Sequence, residues 1–259
     1  SPFESGRRIH PLTLADWDVR QGSIDLVIQG VGTSTKLMNS LLPGQSFAGI
    51  AGPLGRPSLI ERYQEGECVV FTAGGVGLPP VLPILKEHLE LGNQTVLISG
   101  FRNVKQCFWH QPGQRLDRLQ SDFPNLEVIY TSDDGSFGIH GLVTQPLQSM
   151  LKQAKAGSGP RVGEVVAIGP PLMMRAVSEL TRPFGVKTVA SLNSVMIDAT
   201  GMCGACMVPI QQEEKLIRKH ACVDGPEFDA HIIDWDKLLP RFKQFSLQEQ
   251  LSLETKGLL

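Results

Sequence analysis

Three cysteines gathered within a short span carry the sharpest chemical signal in this chain of 259 residues: Cys203-Gly204-Ala205-Cys206, and Cys222 with fifteen residues between it and the pair. Asp198 stands upstream, with four residues between it and Cys203. Ligands spaced by four residues, then two, with a distant fourth form the pattern that holds a two-iron iron–sulfur cluster. Here the first position is a carboxylate, which can complete a set of four. Gly201, Gly204 and Ala205 keep the loop small, so that backbone can fold around inorganic sulfides and aim N–H groups at them. Three other readings compete. Zinc held by the three cysteines and His220 has acceptable ligand types, although a single His two residues before Cys222 is not the paired spacing of zinc sites. A redox dithiol would open a helix after the first strand of its fold, whereas this pair lies far downstream in a Gly-rich loop. The third is a loop of thiols that bind nothing. Cys68 and Cys107 stand alone, and an odd, uneven set of five cysteines does not describe a disulfide framework.

A second signal is Thr72-Ala73-Gly74-Gly75-Val76-Gly77-Leu78-Pro79-Pro80, which follows an apolar strand and opens a helix. Glycines there let backbone approach a pyrophosphate, and a helix N-terminus offers unpaired N–H groups. A tight turn that binds nothing is the plain alternative. The six-residue glycine fingerprint of the common dehydrogenases is absent, and the next strand ends in Gly100-Phe101-Arg102-Asn103 instead of an acidic residue. Two weaker signals lie in the front half. Pro11-Leu12-Thr13 on a strand suits a flavin ring edge, and Gly32-Thr33-Ser34-Thr35 at a helix start suits a flavin pyrophosphate. Each alone is an ordinary strand and an ordinary N-cap. Asp133-Asp134-Gly135 and Met173-Met174 read as a turn and a helix core face.

These residues need a scaffold, and the hydrophobic periods supply one. Residues 9–50 run in short alternating stretches with turn residues between them, which predicts antiparallel strands. Residues 33–42 suit one or two helical turns, and Gly52-Pro53-Leu54-Gly55-Arg56-Pro57 marks a turn or domain edge. Beyond it, Val- and Ile-rich runs at 68–72, 94–99, 126–131, 164–168 and 186–190 alternate with helical patterns. In 80–91 the helical spacing falls on Val81, Ile84, Leu85 and Leu89, with Gly92-Asn93 as the stop; Pro146 and Pro171 suit first helical turns. Such alternation predicts a doubly wound parallel sheet with helices on both faces. From Ser191 onward neither period is sustained. Residues 236–259 carry Leu238, Leu239, Phe242 and Phe245 at roughly helical spacing, as a docking helix or a partly ordered tail.

Lys plus Arg number 24 against 26 Asp plus Glu, so the electrostatic footprint of a nucleic-acid binder is missing. With 41% apolar and 19% charged residues, a packed core is expected. The most apolar stretch, 68–85, is broken by Gly and Pro and predicts no membrane-spanning segment. Residues 1–8 lack the apolar run of a signal peptide, and the expected location is cytoplasmic.

Several of these motifs occur together and in a recognisable order: Pro11-Leu12-Thr13, Val31-Gly32-Thr33-Ser34-Thr35-Lys36, Gly52-Pro53-Leu54-Gly55, Gly74-Gly75-Val76-Gly77, Ser132-Asp133-Asp134-Gly135-Ser136, Ile168-Gly169-Pro170, and Asp198 through Cys206 with Cys222-Val223-Asp224-Gly225-Pro226-Glu227-Phe228. Over residues 7–235 the chain resembles the small subunits of NADH-dependent reduced ferredoxin:NADP oxidoreductases, also described as sulfide dehydrogenase subunits. They belong to the ferredoxin–NADP reductase superfamily, with the electron-transfer subunits of dihydroorotate dehydrogenase and the γ subunits of sulfhydrogenase as relatives. Asp at position 198 is specific to the first branch; the dihydroorotate branch typically has Cys there.

The resemblance implies four regions. Residues 1–60 would form a partial antiparallel FAD-binding β-barrel, whose first strands the family places before the position of Gly6. Residues 61–190 would bind NAD(H), with NADP(H) as the alternative, 191–235 would hold a [2Fe-2S] cluster, and 236–259 would form the tail. FAD would lie against Pro11, Leu12 and Thr13, with its phosphates near Gly32, Ser34 and Thr35. Ile9-His10 stands where the superfamily often places an Arg toward a flavin phosphate. The nicotinamide nucleotide would lie over Gly74, Gly75, Val76 and Gly77, near Gly169 and Pro170, with Arg102 facing its phosphates. Asp198, Cys203, Cys206 and Cys222 would ligate the cluster. A hydride carries two electrons and a cluster accepts one, so a flavin must stand between them. A larger flavin and iron–sulfur subunit would be the partner, in an electron-bifurcating, dihydroorotate-oxidising or sulfhydrogenase complex. No side-chain acid or base is demanded by the hydride step, so no catalytic residue is expected. The opposing expectations are a non-redox nucleotide-sensing module with a structural zinc, and a purely structural subunit.

Overall fold

The computed structural model describes residues 10–213 and 215–255. The strands are β1 (Leu14–Asp18), β2 (Ser23–Leu26), β3 (Glu67–Gly74), β4 (Gln94–Phe101), β5 (Leu126–Ser132), β6 (Ile139–His140), β7 (Arg161–Ile168), β8 (Lys187–Ser191), β9 (Met207–Gln212), β10 (Lys215–His220) and β11 (Glu227–Asp229). The helices are α1 (Thr33–Asn39), α2 (Leu78–Glu90), α3 (Arg115–Asp122), α4 (Thr144–Lys155), α5 (Pro171–Thr181), α6 (Ala221–Asp224), α7 (Trp235–Leu238) and α8 (Ser246–Thr255).

A seven-stranded sheet in the order β11-β8-β7-β3-β4-β5-β6 forms the centre. Neighbouring strands are parallel except β11, which pairs antiparallel with β8. Its strands read as apolar runs because both faces are covered. On β3, Val69, Phe71 and Ala73 point into an interior closed by Leu78, Val81, Leu82, Leu85 and Leu89 of α2 and by Leu116 and Leu119 of α3. Cys68 and Val70 point the other way, toward Leu147 and Leu151 of α4 and Met174 and Val177 of α5. The expected doubly wound sheet is therefore present, and Gly92 with φ of 82° ends α2 as Gly92-Asn93 foretold. Burial pushes the Cys68 thiol up to about 11 and the Cys107 thiol likewise, so both are neutral core residues.

The front end differs in detail. β1 and β2 form one antiparallel pair, but β1 begins at Leu14, so Pro11, Leu12 and Thr13 precede the strand on which the sequence placed them. The pair is tied to the sheet's helices by Lys86–Asp16 (2.7 Å) and Arg115–Asp25 (2.5 Å), and Arg115 also lies over the Trp109 ring at 4.9 Å. The first nine residues of the expected barrel segment, Ile9 included, lie outside the described residues.

The stretch after Ser191 holds more order than its periods announce. β9 and β10 make an antiparallel hairpin of their own. Pro209 within β9 reads as a strand breaker, and β10 has no fully buried side chain, so neither strand shows the alternation that a buried face imposes. Val208, Ile210, Ala221, Ala230, Trp235 and Leu238 share one interior with α4 and α5. The tail's Leu238 is core, and α8 reaches back to α1 through Ser252 and Thr33 (2.9 Å between hydroxyls).

Opposite the glycine end of the sheet, His88 is buried in its neutral form. Asn93 Oδ1 accepts the Tyr63 N–H (2.8 Å), which leaves its amide hydrogens for the Glu61 carbonyl (2.8 Å) and for His88 Nδ1 (2.9 Å). Burial, aided by the Lys187 charge, pulls the His88 pKa down to about 4. The unfolded chain, with an ordinary imidazole near 6.5, therefore takes the proton first, and stability falls as pH drops from 6.5 toward 4. A loss on the order of 3 kcal/mol across that interval is expected in urea unfolding midpoints, and a flat profile there would contradict it.

Candidate functional site

Two groups of residues stand at the carboxyl edge of the parallel strands. The first is built where the strand order turns back, between β3 and β7, the crevice in which open α/β sheets receive ligands. Gly74 ends β3, a 3₁₀ turn covers Gly75, Val76 and Gly77, and α2 begins at Leu78 with Pro79 and Pro80 in its first turn. Gly169 and Pro170 follow β7 and lead into α5. The structure brings these two predicted stretches together. A side-chain carbon at Gly77 would stand 2.1 Å from the Ile168 carbonyl oxygen, and one at Gly169 would stand 2.9 Å from the Gly74 nitrogen. Only bare backbone permits this approach.

Met173 Sδ lies against the same glycines, 2.7 Å from where a Gly74 Cβ would be. The sequence read Met173 and Met174 alike as core face; Met174 is fully buried, whereas Met173 lines the glycine crevice. Arg102 is exposed just past the end of β4, whose Gly100 pairs in register with Gly74. Beside it the Asp133-Asp134-Gly135 segment is a turn, in which Asp134 Oδ1 accepts from the Ser136 N–H (3.0 Å) and hydroxyl (2.6 Å).

The second group lies beyond the end of β8. Cys206 and Cys222 are buried, with their sulfurs 3.2 Å apart, and the Cys222 N–H points at Cys206 Sγ from 3.5 Å. The Ala221 N–H donates to the Cys206 carbonyl (3.0 Å), so the start of α6 is locked to the cysteine loop. Cys203 is exposed at the rim, on the same loop as Asp198 and near enough to help lower the pKa of its carboxylate. That carboxylate accepts the Thr200 N–H (2.9 Å), and this bond, against the opposing effect of burial, holds Asp198 below the usual carboxylate range. Positive φ angles at Gly201 (86°) and Gly204 (66°) bend the loop as the small residues foretold.

The four donors thus stand as two pairs, one buried and one at the rim. Among the described residues no three His, Cys, Asp or Glu side chains converge on one point, as a single tetrahedral ion needs. His220 uses its backbone N–H on Asp224 Oδ2 (2.8 Å). Burial and the neighbouring Cys206 push the Cys222 thiol up to about 11, so Cys222 is protonated at neutral pH unless a bound cation compensates its charge. Two thiols in an apolar interior, with a carboxylate and a third thiol on the exposed stretch before Cys206, are donors of the types that an iron–sulfur group takes.

The front-half residues lie apart in the sequence. Pro11 is half-buried, Leu12 and Thr13 are exposed, and Thr35 Oγ1 caps its own helix by accepting the Val31 (3.1 Å) and Gly32 (3.0 Å) N–H groups. Ser34 is half-buried in the first turn of α1.

Residues 71–179 match the model of the oxidoreductase NAD-binding domain, and residues 193–234 match that of the iron–sulfur cluster binding domain of dihydroorotate dehydrogenase B. A Thermotoga maritima protein, a dihydroorotate dehydrogenase B (NAD(+)) electron transfer subunit homolog, is 36% identical over 97% of this chain and 81% of its own length. The chain belongs to that family of electron-transfer subunits. An uncharacterized Clostridium beijerinckii protein is 38% identical over 97% of this chain and 81% of its own. The structure of an NADH-dependent reduced ferredoxin–NADP oxidoreductase, solved for insight into flavin-based electron bifurcation, superposes with a TM-score of 0.80 and 34% identity, covering 96% of this chain and 84% of that one. The family's NAD-binding domain takes in the glycine crevice, and its iron–sulfur domain takes in Asp198 and all three clustered cysteines. The ferredoxin–NADP reductase-like fold read from the sequence is the fold observed. No helix among the described residues is long and apolar enough to cross a membrane.

Sequence reasoning missed two residues beside the cysteines. Arg56 reaches the Val223 carbonyl (2.9 Å) and Arg241 reaches the Ala205 carbonyl (3.2 Å). No local pattern marks either, because both contacts join distant parts of the chain.

Proposed function

We propose that the chain accepts reducing equivalents from NAD(H) and delivers them singly, through a [2Fe-2S] cluster, to a larger flavin and iron–sulfur subunit. The observation that carries this reading is the arrangement of four donors in two pairs next to a glycine crevice on one edge of one sheet. Cys206 and Cys222 would hold one iron and Asp198 and Cys203 the other. When bound, the cluster supplies one-electron transfer and FAD interconverts it with hydride transfer.

The protein's own contribution is placement. Bare backbone at Gly74, Gly75, Val76 and Gly77, faced by Gly169 and Pro170, would let a dinucleotide pyrophosphate reach the N-terminus of α2. Arg102 would offer its guanidinium to the ligand's phosphates, with NADP(H) as the alternative nucleotide. The buried pair would keep water from one half of a bound cluster, and the rim pair would leave the other half exposed. FAD would lie on the front segment, at Pro11, Leu12, Thr13, Gly32, Ser34 and Thr35. The described residues there offer only part of a wall, including exposed Leu12, Ile24, Phe47 and Ile50, so no step is derived through it. On this reading residues 1–60, 61–190 and 191–235 serve flavin, nucleotide and cluster in turn, and 236–259 form the tail.

The extent of the structural match favours an electron-bifurcating partner of the ferredoxin–NADP oxidoreductase kind. The family's naming favours, as a second reading, a dihydroorotate-oxidising partner. Metal, acid-labile sulfide and flavin analysis of the purified protein, with its visible spectrum, tests the core of the proposal. Iron and sulfide in equal amounts and a spectrum that bleaches with NADH are expected. Colourless protein with stoichiometric zinc would overturn it.

A further inference from the structure

Cys206 closes an irregular loop that leaves β8, and Cys222 rides on α6, a helix of four residues; neither support is stiff by itself. Two guanidinium groups compensate from opposite ends of the chain. Arg56, in the segment that the sequence marked only as a domain edge, donates Nε to the Val223 carbonyl (2.9 Å) and its backbone N–H to the Gly225 carbonyl (2.9 Å). Arg241 follows α7, which Trp235 and Leu238 anchor in the core, and donates Nη2 to the Ala205 carbonyl (3.2 Å). Val223 directly follows Cys222, and Ala205 directly precedes Cys206. Arg241 therefore grips the peptide that joins Ala205 to Cys206, and Arg56 grips the carbonyl of the residue that follows Cys222.

We propose that Arg56 and Arg241 are positioning residues for the Cys206–Cys222 half of the cluster, fixing both ligand peptides so that the two sulfurs face one iron. The proposal rests on the iron–sulfur reading above. Each side chain makes one bond to one carbonyl, so a lysine can replace the donor whereas a methionine of similar length cannot. Outer contacts of this kind commonly hold about 10-fold or more of a site's metal affinity.

The test uses the full chain with its cluster loaded, challenged with a ferrous chelator while the visible absorption is followed. Arg56→Met and Arg241→Met should each lose the cluster about 10-fold faster than the unaltered protein and shift the magnetic-resonance spectrum of the reduced cluster. Arg56→Lys and Arg241→Lys should restore both, and NADH affinity should be unchanged throughout. Methionine variants with unaltered retention and spectrum would overturn the proposal. So would methionine variants that lose NADH affinity along with the cluster, since that marks general unfolding. If the unaltered chain holds no iron or sulfide at all, the iron–sulfur reading itself fails, a result distinct from normal retention in the variants.

Discussion

On the proposed assignment, Cys222→Ser should strip the protein of its visible absorption and of most of its iron, while the glycine crevice should continue to bind nucleotide. Cys222 is buried and its sulfur stands 3.2 Å from that of Cys206, so a shorter, weakly ligating hydroxyl would take one inner donor from an iron held there. Water has poor access to fill the gap in this interior. Iron retention should fall more than about 10-fold, beyond the usual effect of losing an outer contact. Asp198→Ala should be milder at first, because the rim is open to water, which can take the empty position until the cluster decays. Iron and sulfide assays on both variants, with magnetic-resonance spectra of the reduced protein, decide the matter. Unchanged iron and spectrum in Asp198→Ala would remove Asp198 from the ligand set, and unchanged values in Cys222→Ser would remove the two-pair arrangement altogether.

Gly77→Ala should have the second large effect, this time on the nucleotide. The added methyl would stand 2.1 Å from the Ile168 carbonyl oxygen and 2.8 Å from Gly169 Cα, and both obstacles are backbone. Neither can rotate away, so the start of α2 must part from the end of β7 and the crevice opens unevenly. Overpacking of this kind costs about 1–3 kcal/mol of stability. Loss of backbone alignment at a helix N-terminus should weaken NADH binding by about 10-fold or more, since charge-assisted bonds to N–H groups each contribute about 1.5–3 kcal/mol. Fluorescence titration with NADH and thermal unfolding give both quantities. Wild-type affinity in a folded Gly77→Ala protein would show that no ligand approaches this turn.

Much of the nucleotide half was legible because its strands are covered on both faces. Runs such as Cys68-Val69-Val70-Phe71 have no reading other than a central strand once helices alternate with them. The glycine crevice was legible for a related reason: Gly74 to Gly77 and Gly169 are small where two backbones meet. The cysteine spacing likewise announced a metal group, because ligand geometry constrains sequence directly. What escaped was decided by contacts between remote segments. β10 shows no alternation because it buries almost nothing, and β11 exists only because Phe228 finds Ala190 across the sheet edge. Arg56 and Arg241 look like any exposed cations until the fold places each against a carbonyl far along the chain. Pro11, Leu12 and Thr13 were placed on a strand by local alternation, but β1 takes its register from β2, starting with Leu14 opposite Leu26.

The shared interior beneath α4 and α5 joins Val208, Ile210 and Leu238 from the cysteine half to Val165, Ala167 and Met174 from the nucleotide half. On the proposed assignment, metal ligation in the cysteine half would therefore stabilise the common interior of both halves against unfolding, while the folded crevice keeps its affinity for nucleotide. Iron scarcity would then shorten the lifetime of the whole polypeptide, not merely silence its wire.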